Sequence, residues 1–120
     1  MSNFEKHLEK YEMFKHDATN DSVSIPLRIE AYFYAAFHLI EAVAARHGLH
    51  VEKHQRVRSF LVRHSEIMGD ETEKVWQAFQ EIENQLRPGQ VYGGQVNGWK
   101  LRRARELFIV IEAVCQGILS

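Results

Sequence analysis

The 120-residue sequence predicts an all-α protein, and three observations carry that prediction. Residues 25–46 form one helix-compatible run with no glycine, and with a proline only in its first turn. On either side, apolar residues recur at helical spacing, and no alternating strand pattern of useful length exists. Polar or glycine-containing breaks separate these stretches at residues 18–22, 48–51, 69–70 and 88–98. The pattern fits an up-and-down four-helix bundle with one additional helix, mostly antiparallel because the connections are short. A chain of this length is one domain, residues 1–120.

Helix by helix, the expectation is as follows. Asn3 to His16 carries Phe4, Leu8, Tyr11 and Phe14 at helical spacing, with Ser2 or Asn3 as cap. Ile25 to Arg46 is the central post. Only Arg28, Glu30, Glu41 and Arg46 are charged there, while Ile29, Tyr32, Phe33, Ala36, Phe37, Leu39, Ile40 and Val43 spread around the helix. A helix apolar on nearly every face is a buried one. Ser24 suits its N-cap, Pro26 its first turn and Gly48 its C′ position. It would run roughly 33 Å. Its charges interrupt the ~20 consecutive apolar residues that a membrane span needs.

Glu52 to about Glu66 resumes helix, with Val57, Phe60 and Leu61 on one face. Asp70 and Glu73 have capping-box spacing ahead of a fourth helix from about Glu71 to Leu86, striped by Val75, Trp76, Phe79, Ile82 and Leu86. Residues 88–98 hold four of the seven glycines and form the one long connection. Asn97 suits the cap of a fifth helix, Trp99 to Gln116.

Composition narrows function little. Apolar content of 45% and charged content of 26% are ordinary for a soluble domain. Net charge is −1, so any nucleic-acid contact must come from a local basic patch. Cys115 stands alone and cannot form an internal disulfide, which fits a reducing compartment. The opening residues lack the basic-then-apolar pattern of a secretory signal. Cytoplasmic residence, with no membrane association, is the expectation.

Tyr34-Ala35-Ala36-Phe37-His38, Ala42 to Ala45, Gly48-Leu49, Lys53-His54 and Val57, followed by Leu86-Arg87 and Tyr92-Gly93, carry a resemblance. Over about residues 25–115 the chain resembles the stand-alone prokaryotic branch of the HEPN family. The resemblance implies a helical domain that pairs into a homodimer around a nucleotide- or RNA-binding groove. It also implies a small nucleotidyltransferase as partner, in a toxin–antitoxin-type pair. The apolar central helix gives a second reason to expect a homodimer, since a bundle this small would leave part of it uncovered.

HEPN ribonucleases pair an arginine with a histidine four to six residues later. Arg58 and His64 pass that spacing. A metal-free cleavage would use the histidine to move a proton and the arginine to stabilise phosphate charge. At 100° per residue, however, the two lie about 120° apart around a helix. In catalytic relatives the pair follows the fourth helix, where this chain has Arg87 and no histidine within the next seven positions. The resemblance instead implies that Arg87 and Tyr92 line the groove and that His54, beside Lys53, opens the third helix. The bland alternatives are structural: Arg87 capping carbonyls and Tyr92 packing the loop.

His50 and His54 share i, i+4 spacing, but no histidine sits in a Glu-x-x-His pattern and the lone cysteine is distant. No metal and no cofactor is expected. Basic residues cluster at Lys53, Arg56, Arg58 and Arg63, and again at Lys100, Arg102, Arg103 and Arg105. Either cluster could meet phosphate or simply be a solvated face. The reading is therefore a HEPN-like nucleotide- or RNA-binding interaction module without efficient catalysis. The alternatives are an active metal-independent endoribonuclease toxin and a structural helical dimer that binds another protein.

Overall fold

The computed structural model describes residues 3–87 and 98–120. Among them every regular element is helical, and the helices pack as a bundle. We number them α1 (Asn3–Ala18), α2 (Ile25–Arg46), α3 (Val57–Arg63), α4 (Ser65–Met68), α5 (Thr72–Glu81) and α6 (Gly98–Leu119). α2 packs chiefly against α1 and then α6, and α5 packs against α6. No helix among the described residues is long and apolar enough to cross a membrane.

α2 keeps its expected bounds. Ser24 is its N-cap with extended backbone, but the hydroxyl makes no capping bond. At the other end Gly48 has φ +72°, Leu49 N–H donates to the Ala44 carbonyl at 2.8 Å and Gly48 N–H to the Ala45 carbonyl at 3.0 Å. This is a Schellman close, and it needs the left-handed residue that glycine supplies without strain. Thirteen of its residues are buried, from Ile29 to Ala44, with Phe33, Leu39, Ile40 and Val43 at 0% exposure. The bundle of one chain thus buries most of the central helix but not all of it, since Leu27 is 62% exposed and Tyr34 only half-buried. Among the aromatics, Tyr32, Phe33 and Phe37 are core and Tyr34 is half-buried.

α1 runs one turn-fragment further than expected, to Ala18. Its last carbonyls are taken by side chains: Arg28 Nε donates to the Ala18 carbonyl at 2.9 Å, and the Thr19 hydroxyl donates to those of Lys15 and His16. A second clamp joins α1 to α6. The Tyr11 hydroxyl donates to Glu112, Lys15 Nζ lies 2.7 Å from the same carboxylate, and Gln116 donates to the Tyr11 oxygen.

The third helix departs from expectation. Instead of one run over Glu52 to Glu66, a 3-10 turn (His54–Arg56) leads into the seven residues of α3. His64 leaves helical geometry at φ −123°, ψ 42°, and α4 restarts at Ser65. Gly69 then turns the chain at φ +59°, ψ −129°. The capping box of Asp70 and Glu73 does not form. A 3-10 turn (Gly69–Glu71) occupies that position, and the Thr72 hydroxyl bonds the carbonyls of Gly69 and Ser65. α5 ends in a π-helical turn (Ile82–Leu86), closed by Arg87 N–H to the Ile82 carbonyl at 3.0 Å. α6 exceeds the expected Trp99 to Gln116 at both ends; Asn97 and the bulk of the 88–98 connection lie outside the described residues.

Candidate functional site

A set of partly exposed ionisable groups lies where α2, the 3-10 turn before α3 and the π-helical turn after α5 meet. α2 supplies Phe33 and, one residue on and three before, Tyr34 and Glu30. The 3-10 turn supplies His54, and the π-helical turn supplies Glu83 with Arg87 just after it. A wide turn shifts the angular register of the residues that follow it, and such turns recur at functional sites. Here Arg87 Nε reaches Glu30 at 2.9 Å, and its guanidinium lies 4.0 Å above the Phe33 ring and 5.8 Å from that of Tyr34.

The His54 ring also meets Phe33 edge-on, at 5.2 Å, and meets Phe37 at 6.3 Å. His54 Nδ1 sits 2.5 Å from Glu83 Oε2. These four side chains are between 16 and 28% exposed, so water is thin around them but present. Charge-assisted bonds in such surroundings are stronger than exposed ones, and the arginine–ring contact adds to them. The buried Phe33 ring thus lies beneath a partly exposed arginine and histidine, each paired with a carboxylate.

The other expected site residues fall elsewhere. Lys53 is exposed beside His54, and no side-chain partner holds its ammonium among the described residues. Tyr92 lies outside the described residues. Arg58 is exposed, 3.0 Å from Glu73 and over the Trp76 ring at 5.2 Å. The Glu73 carboxyl is held below its ordinary value by Gln77 and Arg58, which bond it. His64, past the end of α3, packs at a tilt against Phe60 and faces Glu66 at 3.7 Å. No hydrogen bond or ring contact joins Arg58 to His64.

The basic clusters are partly self-neutralised. Arg103 makes two bonds to Glu81, at 2.7 and 2.9 Å, and Arg56 lies 3.5 Å from Glu52. The Cys115 thiol is buried and pushed up to about 12 by desolvation, which leaves no thiolate for nucleophilic chemistry near neutrality.

A second polar cluster, on the α1 side of α2, serves the fold. Glu41 is buried at 6% exposure and accepts N–H bonds from Val51 at 2.9 Å and Glu52 at 3.3 Å. His7 Nε2 lies 3.5 Å from the same carboxylate, and His7 Nδ1 lies 3.0 Å from His38 Nδ1. Desolvation, with the adjacent His7, holds His38 down to about 4, and burial lowers His7 too. The clasp of Glu41 holds Glu52 at φ +73°, the one non-glycine residue with positive φ among those described. That conformation costs about 1 kcal/mol or more and persists only where neighbours enforce it.

Sequence reasoning missed Glu30, Glu41 and Glu83 as partners. The first two were detectable as carboxylates isolated in an apolar helix, because a buried charge demands a partner. Glu83 carried no such signal, since the π-helical turn that aims it was not foreseen.

Fold and site together define, among the described residues, an all-helical bundle in which an arginine, a histidine and two carboxylates gather around a buried aromatic ring. Comparison with protein-family models, with curated proteins and with solved structures gives no match to this chain.

Proposed function

We propose that this protein is a HEPN-type nucleotide- or RNA-binding interaction module that lacks efficient catalysis and uses the cluster around Phe33 as its site. The observation that carries the reading is the meeting of His54 and Arg87 on one ring. The resemblance assigns Arg87 to the groove and His54 to the opening of the third helix; the two are far apart in the chain, yet they contact Phe33 at 4.0 and 5.2 Å. A phosphate offers an arginine the same bidentate oxygens as a carboxylate. A phosphoryl ligand would therefore exchange with Glu30 or Glu83, and Lys53 at the rim would add long-range attraction.

The same carboxylates argue against fast cleavage, because they occupy the cation and the imidazole that chemistry would need. The wider HEPN reading belongs to this proposal: four bundle helices with one more, a homodimer, and a small nucleotidyltransferase as partner in a toxin–antitoxin-type pair. Residence in the cytoplasm follows from that role.

The test is a binding titration of labelled single-stranded RNA and of nucleoside triphosphate over a range of salt, with chelator present. Binding should weaken steeply with salt, and Arg87→Ala and His54→Ala should each lower affinity at least about tenfold, the loss expected for a charge-assisted contact of ~1.4 kcal/mol or more. Circular dichroism of each variant separates lost binding from lost fold. Affinity unchanged in both folded variants, or no binding at all, overturns the proposal. RNA cleavage abolished by Arg58→Ala or His64→Ala would make the protein a ribonuclease instead.

A further inference from the structure

A separate pocket lies on the other side of the 3-10 turn, lined by His50, Arg56, Ser59, Phe60, Arg63 and His64, with Val51 and Glu52 at its edge. Its volume is about 120 Å³. That is several times the roughly 30 Å³ of one water and well below the ~300 Å³ at which sites for drug-sized ligands begin. It suits a small polyatomic group and not a nucleobase with its sugar.

The lining is basic and drawn from three segments: the loop after α2, the 3-10 turn, and α3 with its end. Arg63 is exposed, and its side chain has no hydrogen bond, ion pair or ring contact among the described residues. Two carboxylates lie nearby, Glu52 as part of the lining and Glu66 outside it. Glu52 is 63% exposed and 3.5 Å from Arg56, and Glu66 is 71% exposed and 3.7 Å from His64. Exposed pairs of this kind hold their partners weakly, so Arg56 can turn to a ligand. The pocket's edge is also built: the buried Glu41 carboxylate fixes the backbone of Val51 and Glu52, and Glu52 is held with positive φ there.

We propose that this pocket binds a phosphoryl group, with Arg63 and Arg56 as the principal charge partners, His50 and His64 on its walls and the Ser59 hydroxyl as a neutral donor. A tetrahedral dianion matches converging guanidinium and hydroxyl donors in a site of this size. The site shares no residue with the cluster around Phe33 and does not rest on the function proposed for it.

The test is an NMR titration of isotope-labelled protein with inorganic phosphate, and separately with a 5′-mononucleotide, at constant ionic strength set by chloride. Saturable shifts centred on residues 50–64 are expected. Arg63→Ala should weaken binding at least tenfold and Arg63→Lys less, whereas Arg102→Ala, an exposed cation on α6, should change nothing. Equal affinity for the two ligands identifies a free phosphate as sufficient; tighter mononucleotide binding identifies a phosphate ester. Shifts that do not saturate, that chloride reproduces, or that persist undiminished in Arg63→Ala overturn the proposal. Arg87→Ala should leave the phosphate response intact, so failure here and failure of the Phe33-cluster reading are distinguishable.

Discussion

The two sides of α2 use the same chemistry for opposite ends. Towards α1, the helix presents His38 and Glu41 to His7 and to the backbone of residues 51–52, and closes over them. Towards α5, it presents Glu30 and Phe33 to Arg87 and His54, and leaves that rim partly open. Histidine and carboxylate occur on both sides, so residue type does not separate structural from ligand-accessible groups. Burial and the identity of the partner do. A carboxylate committed to two backbone N–H groups cannot leave without orphaning them, whereas one paired with an arginine can be exchanged for another anion.

Four experiments would break or sharpen that contrast. Phe33 underlies the open side and is fully buried, so Phe33→Ala should cost about 3–5 kcal/mol and erase the cluster as well. A urea midpoint close to wild type would show that the ring is not the packed surface described here. Glu41→Ala on the closed side should cost about 2–3 kcal/mol, since two backbone donors lose their acceptor. Hydrogen exchange at Val51 and Glu52 should quicken in the same variant; unchanged protection would mean the clasp is dispensable.

Acidity tests the closed side a third way. The unfolded chain protonates His38 near its ordinary value of 6.5, the folded chain only at about 4. Between those values the unfolded state binds more protons, so stability falls as pH drops. The contribution is fully present above about 6.5 and lost progressively towards 4. His38→Phe should flatten the dependence of the urea midpoint between pH 7 and 5, and an equally steep slope would assign it to other groups. The smallest effect is expected at Arg58. Arg58→Ala removes a solvent-exposed pair and should leave both the urea midpoint and RNA binding where they are. A clear loss of binding would move the site from the Phe33 cluster to α3.

The helices were legible because their determinants are local. Glycine at residue 48, proline at 26 and the apolar wrap of residues 25–46 act within a few turns, and α2 has the bounds they imply. The breaks at His64 and Ile82 were not legible, because no glycine or proline marks them. Val57, Phe60, Leu61, Phe79 and Ile82 are all buried around them, and the tertiary packing of those side chains overrides local helix propensity. Of the expected site residues, the structure brings His54 and Arg87 to one ring and leaves Arg58 and His64 with separate partners. By itself the sequence determined that the chain is helical, the bounds of α1, α2 and α6 to within a few residues, and that a set of basic and histidine side chains exists. Only the tertiary structure decided which of them meet. Contact between Glu30 and Arg87, or between His54 and Glu83, depends on how three distant segments pack and on the phase of one π-helical turn, and neither is encoded in the neighbours of any single residue.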